Sequence, residues 1–298
     1  MDVAVDVDHL MLGVSDLDAA GASFERLGFT VTARSEHTVM GTANRCVMLT
    51  SGSPDIANYV ELMAVTGRDR LPQRLTEVLG GPEGVKAVVL ATRDANASAT
   101  ALAARGLGTA AVFSFDRMIE LPDGDEAMLA FTVAMLPSSA APVPTIVCAH
   151  HTLATLTQRE WQHHVNGAQR LTGCTIVATA PAAVAARLEQ LLGVAAHVEP
   201  DGGRAVRCGQ VTLRIVTPDV LRRVYPGLEL DPARPLPYVL GLAVAVTEIR
   251  QTEDHLRRAG VPCVVSTAGT AVSVMPQHAH GALLEFERAV PRLRGGRL

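Results

Sequence analysis

The chain has 298 residues, with 26 Lys plus Arg against 30 Asp plus Glu, a net charge of -4 and a pI near 6.2. That balance makes no electrostatic case for nucleic acid or for an anionic membrane surface, and 3% aromatic residues leave little for base stacking. At 48% apolar the chain can bury sizeable cores, and its length implies about two domains of ~150 residues each.

Val7–Gly28, VDHLMLGVSDLDAAGASFERLG, opens on an apolar strand that carries one histidine, His9. Ser15 and Asp16 are N-cap candidates, and Leu17, Ala20, Phe24 and Leu27 recur at helical spacing before Gly28 ends the helix. Short strands are expected over Phe29–Ala33, Asn44–Thr50 and Asn58–Val65. Arg70–Leu79 reads as a connecting helix. The unit then restarts, with a strand at Val85–Thr92, an Ala-rich helix at Ala95–Arg105 closed by Gly106, and strands near Thr109–Phe115, Ala127–Leu136 and Thr145–His150.

A third copy starts at Cys174–Thr179 and has a helix at Pro181–Leu192, with Pro at N1 and Gly193 after it. Its strands are Ala196–Glu199, Ala205–Cys208 and Val211–Val216. The fourth copy has Val239–Val246, a helix at Glu248–Ala259 closed by Gly260, and strands at Cys263–Ser266, Ala271–Met275 and Ala282–Glu287. Four restarts of strand, helix, glycine and three strands make an internal repeat. A single βαβββ copy leaves an apolar sheet face open, so the copies must pair. The expected fold class is α+β, with four modules paired into two domains over 1–151 and 174–290. An interdomain segment over 152–173 and a basic, Gly-rich tail over 291–298 complete the chain.

The five cysteines, Cys46, Cys148, Cys174, Cys208 and Cys263, are scattered without CxxC spacing, which fits reduced thiols. No apolar run reaches the ~20 residues of a membrane span, and MDVAVDVDHL lacks a basic leader region. A cytoplasmic protein is the expectation.

The opening DHL-x-L-G-V-x-D-L-D-A-A, the closing YVEL of the first unit and the pairing of units resemble the vicinal oxygen chelate superfamily. Its members include glyoxalases, bleomycin-resistance proteins and extradiol dioxygenases. The glyoxalase-like branch is resembled at HTVMGTAN (His37–Asn44), CAHHT (Cys148–Thr152) and EWQHHVNGA (Glu160–Ala168). The resemblance implies that paired units curl into cup-shaped mixed sheets with a divalent metal ion at the floor. It implies His9 as the first-strand ligand and Glu61 as the fourth-strand ligand. The counterpart of His9 in the second unit falls near Ala87, which cannot ligate. The last strand of that unit ends in His150 and His151, of which one faces the cup; His150 fits the family pattern and His151 is the alternative. In the second domain Glu285 aligns with Glu61, while Cys174 and Gly241 fall near the histidine places.

Two imidazoles and a carboxylate with open positions suit Fe2+, Zn2+, Mn2+ or Ni2+. Glu61 is also a candidate for moving a proton. A bland reading stands beside each of these: His9 and Glu61 can satisfy each other in a metal-free core. His37, Thr42 and Asn44, around a turn at Met40–Gly41, are candidate substrate contacts or ordinary turn residues. His164 and Asn166 are candidate substrate contacts if the interdomain segment walls the pocket. Trp161 is more simply an anchor docking the two domains. Glu285 is expected to pack structurally or to pair with Arg207 or Arg214. Two functions from different classes follow. One is a metal-dependent lyase, isomerase or dioxygenase acting on a small oxygen-bearing substrate, with a homodimer possible. The other is a metal-free protein that sequesters a small molecule.

Overall fold

The computed structural model describes residues 2–289, so the tail expected over 291–298 lies outside the described residues. The first half runs β1 (Asp6–Gly13), α1 (Leu17–Arg26), β2 (Ser35–His37), β3 (Thr42–Met48), β4 (Tyr59–Val65) and α2 (Gln73–Leu79). It continues with β5 (Gly84–Ala91), α3 (Ala95–Ala104), β6 (Ala111–Glu120), β7 (Glu126–Met135), β8 (Thr145–His150) and the short α4 (Leu153–Leu156). The second half runs β9 (Ala168–Val177), α5 (Pro181–Leu192), β10 (Ala196–Val198), β11 (Arg204–Cys208), β12 (Val211–Val216) and α6 (Pro218–Val224). It ends with β13 (Tyr238–Val246), α7 (Ile249–Arg258), β14 (Val264–Val265), β15 (Ala271–Val274) and β16 (Leu283–Arg288).

Each half forms one eight-stranded mixed sheet, in the orders β2-β3-β4-β1-β5-β8-β7-β6 and β10-β11-β12-β9-β13-β16-β15-β14. The two modules of a sheet meet at an antiparallel pair, β1 with β5 and β9 with β13. Within a module the first and last strands are parallel. The first sheet rolls until its two edges approach. The Arg117 guanidinium bonds the Ser35 hydroxyl across that seam, and Ser35 Oγ donates to Met118 O at 3.4 Å.

Local rules explain the helices. Asp16 and Asp94 each cap a ten-residue helix by accepting two backbone N–H bonds. Gly28 takes φ +92 behind α1, where a Cβ would lie 2.7 Å from the His255 ring and 2.8 Å from Asn166 Cβ. Pro72 holds α2 to Gln73–Leu79, shorter than its periodicity suggests.

Several elements differ from expectation. Phe29–Ala33 is not a strand; it is held only by isolated bonds such as Thr32 N–H to Cys46 O, and β2 forms later, at Ser35–His37. The third module begins at Ala168 rather than Cys174, because β13 keeps pairing back to Val246 opposite Ala168. Residues 218–224, between the third and fourth modules, form the extra helix α6.

On β1, Leu10 and Leu12 point to the helix side with Phe24, while His9 and Met11 point into the first cup. Each such fully buried Leu or Phe contributes roughly 1.5–3 kcal/mol. The helix-side core is continuous between the halves: Leu90, Ile176, Leu188 and Leu213 belong to it, and Phe29 stacks on Phe286 at 5.7 Å.

Candidate active site

The first cup encloses a cavity of about 340 Å³, lined largely by apolar side chains such as Met11, Met63, Phe113, Phe115 and Phe131. Its polar lining includes His9, Glu61, His37, Cys148 and His150. His9 Nε2 lies 3.4 Å from Glu61 Oε2. Asn44 Nδ2 donates to the other Glu61 oxygen at 2.6 Å. The His9 ring stacks on Tyr59, centroids 4.1 Å apart.

Behind them sits Asp8, which sequence alternation would send to the opposite face. A β-bulge between Val7 and His9 in the β1–β5 ladder puts Asp8 and His9 on the same side. Asp8 Oδ1 lies 2.7 Å from His9 Nδ1 and 3.1 Å from His150 Nε2. The only signal in the sequence is the Asp-His doublet itself.

Asp8, Cys148 and His150 bring one ligand-type atom each within 4.8 Å of one another, so this group can hold a metal ion. The Cys148 sulfur is 3.7 Å from His150 Nε2. His9, Glu61 and His150, the set implied by resemblance, do not gather that closely among the described residues. The register explains why. When the two Asp-capped modules are set on each other, Ala87 stands at His9. Glu61 pairs across from Met11, and the corresponding residue across from Val89 is Ile146. The second module therefore offers no ligand at either symmetric place, and His150 lies at the far end of β8, beside Asp8.

His150 lines the cavity, whereas His151 turns to the other face and meets Thr132 Oγ1 at 2.8 Å. One His150 atom, Nδ1, is buried without a partner. That orphaned nitrogen, and two carboxylates beside two imidazoles and a thiol, are donor chemistry that fits a divalent ion.

The electrostatics follow from burial and pairing. Burial works against the Asp8 carboxylate, but His150 and His9 outweigh it and hold the group well below the usual carboxylate range. Burial likewise opposes the Glu61 charge, yet His9, His37 and Asn44 bring it down to about 2. For His9, burial disfavours the imidazolium, while bonds to Asp8 and Glu61 raise its pKa overall. Burial raises the Cys148 thiol despite His150. Burial, with Arg117 nearby, lowers His37 to about 4, so it is a neutral ring near pH 7.

The other expected contacts divide. His37 lines the cavity, and its Nδ1 lies 2.9 Å from Thr42 Oγ1. Thr42 is fully buried behind it. Asn44 serves Glu61. His164 and Asn166 do not reach the cavity. His164 Nδ1 accepts from Thr30 N–H at 3.0 Å, and its Nε2 lies 2.9 Å from Met48 O. Asn166 Nδ2 donates to Leu27 O at 2.9 Å, and its Oδ1 accepts from Ala168 N–H. Both are spent on backbone, and by these bonds the segment before β9 is fastened to the first module. Trp161 packs in one cluster with Leu156, Ile119, Leu129 and Tyr59, behind the stretch of cavity wall that Leu156, Leu129 and Tyr59 provide.

The second cup is different. Gly173 and Gly241 stand at the histidine places by register, and a Cβ at Gly241 would lie 2.1 Å from Leu283 O. Arg214 and Glu285 take the acid places. Arg214 pairs with Asp201, while Glu285 accepts from the Tyr225 hydroxyl and from Thr175 Oγ1 at 3.5 Å. Val220, Leu221 and Tyr225 of the α6 region fill the hollow against Val177, Leu240 and Leu283.

The sequence profile of the glyoxalase-like domain family matches residues 7–192. No curated protein matches the chain in sequence. A hypothetical protein from Staphylococcus aureus has a similar structure, with TM-score 0.64 at 12% identity over 95% of this chain and 99% of that one. A mutant of 4-hydroxymandelate synthase from Streptomyces coelicolor gives TM-score 0.55 at 12% identity over 97% and 94% of the two chains. A xylose isomerase-like TIM barrel/4-hydroxyphenylpyruvate dioxygenase fusion protein gives 0.54 at 16% identity, over 99% of this chain and 50% of that one. At these identities the structural likeness speaks for the fold.

Proposed function

Since the chain belongs to the glyoxalase-like domain family, within the vicinal oxygen chelate superfamily, we propose that its first cup is the active site of a divalent-metal-assisted enzyme acting on a small oxygen-bearing substrate. The observation that carries this reading is the burial of two carboxylates and two imidazoles beneath an otherwise apolar cavity. Buried charge is costly, and apolar packing would be more stable in its place, so the cluster answers to chemistry rather than to folding.

Asp8, Cys148 and His150 would hold the ion, three protein donors with room left toward the cavity; we favour this trio over the His9, Glu61 and His150 set because its ligand atoms stand within 4.8 Å of one another. A mixed carboxylate, thiolate and imidazole set favours Zn2+ over Fe2+, Mn2+ or Ni2+. When bound, such an ion polarises a carbonyl or enolate oxygen and lowers the pKa of bound water.

The chain's own residues do the rest. Glu61 is the proton acceptor: Asn44 occupies one of its oxygens and leaves Oε2 beside His9. His9 is the proton donor, fixed by Asp8 at one nitrogen and by the stacked Tyr59 ring. The apolar walls and the Trp161 cluster keep bulk water from this pair. With a redox-inert Zn2+ this arrangement suits lyase or isomerase chemistry, whereas dioxygenase chemistry would need a redox-active ion such as Fe2+ in the same donors.

Metal analysis of the protein purified without chelators tests the reading. About one divalent ion per chain is expected, lost in Asp8→Ala and His150→Ala and retained in Glu61→Gln. Loss in Glu61→Gln with retention in Asp8→Ala and His150→Ala would move the ligands to the His9–Glu61 pair. The apolar walls also favour a second reading, a metal-free sequestering protein. Absence of metal together with chelator-insensitive ligand binding would establish that instead.

A further inference from the structure

β6 turns Ala111, Phe113, Phe115 and Arg117 toward the cavity, and Arg117 is the one charged member of that row. The Arg117 guanidinium is tied to Ser35 by one nitrogen, while its Nε is buried and has no hydrogen-bond partner. No carboxylate forms an ion pair with it among the described residues. A charged donor buried and unused is costly, and Nε belongs to the fork with which a guanidinium grips a carboxylate.

We propose that Arg117 is the anion-recognition residue of the first cup and that its ligand is a hydrophobic carboxylate. The acid group sits on the guanidinium, and the apolar body lies among Phe113, Phe115, Phe131 and the methionines. A cavity of about 340 Å³ is at the small end of the range for small-molecule sites, which suits one aryl or short alkyl group on the acid. This substrate class rests on the reading of the first cup as the ligand site, but not on any metal.

Calorimetric titration of the chelator-treated full chain with 4-phenylbutanoate and with its neutral amide tests the proposal. The acid is expected to bind roughly 10- to 100-fold more tightly than the amide. In Arg117→Met that preference is expected to vanish with amide affinity unchanged, which also reports an intact cavity; Arg117→Lys should restore part of it. Ser35→Ala, which removes only the seam partner, should keep the preference. Equal binding of acid and amide by the unmodified protein, or a preference that survives Arg117→Met, overturns the proposal alone. Binding of neither probe overturns it together with the reading of the cavity. Metal content measured on the same preparations before chelator treatment keeps the two failures apart.

Discussion

Asn44 and His164 show what a single polar side chain does when it is buried. Replacing Asn44 by Ala leaves one Glu61 oxygen without its donor inside the protein. Stability is expected to fall by about 1–3 kcal/mol in urea denaturation. The Glu61 carboxyl should also titrate higher, which carbon-detected NMR reads directly; an unmoved titration would show that Asn44 does not hold the acid. His164 must be neutral, because its Nδ1 accepts a backbone N–H. Burial lowers its pKa to about 4 from 6.5. Between those values the unfolded chain binds the extra proton, so stability is complete above pH 6.5 and is lost as pH falls toward 4. The loss should approach about 3 kcal/mol. His164→Gln should be less stable at pH 7 but flatter across that window in pH-dependent urea midpoints; a parallel curve would reject the assignment. At this scale the sequence was readable where residue type clashed with pattern. His9 and Glu61 stood out on apolar strands, and His150 was favoured over His151 for the inward place it occupies. Asp8 was hidden because a bulge breaks strand alternation without any mark in composition. Arg117 was hidden because Phe113 and Phe115 alternate with Ser114 and Asp116 in a way that also suits an exposed strand.

Elements were readable where capping and periodicity agreed. The Asp16 cap, the Pro181 start and the glycines after the helices mark α1, α3, α5 and α7 nearly to the residue. The short strand β2 was misplaced because Phe29–Ala33 is apolar for another reason: Phe29 packs between Phe24, His164 and Phe286. α6 went unread because a seven-residue helix has too little periodicity, and its role depends on a hollow that only the tertiary fold creates. The interdomain segment backs the cavity wall through Trp161. Trp161→Ala should cost about 3–5 kcal/mol and admit water behind that wall. Hydrogen exchange of Tyr59 and Met48 amides should then quicken; unchanged exchange would place that backing elsewhere.

Across the molecule, the two sheets are joined by more than their linker. The Asp6 carboxylate accepts the Gln210 N–H at 3.0 Å, Arg234 donates to Val85 O at 2.7 Å, and the helix-side core crosses from one half to the other. One calorimetric transition is therefore expected, and Asp6→Ala should lower its midpoint by several degrees. Two resolved transitions in the unmodified protein would contradict a shared core. The filled second cup carries a consequence for redesign. Exchanging Tyr225, Val220 and Leu221 for small residues would vacate a chamber built on the same scaffold as the first cup and containing an acid, Glu285. Such a variant would be a blank receptacle in which a new ligand preference could be installed, with the untouched first chamber of the same chain as an internal control.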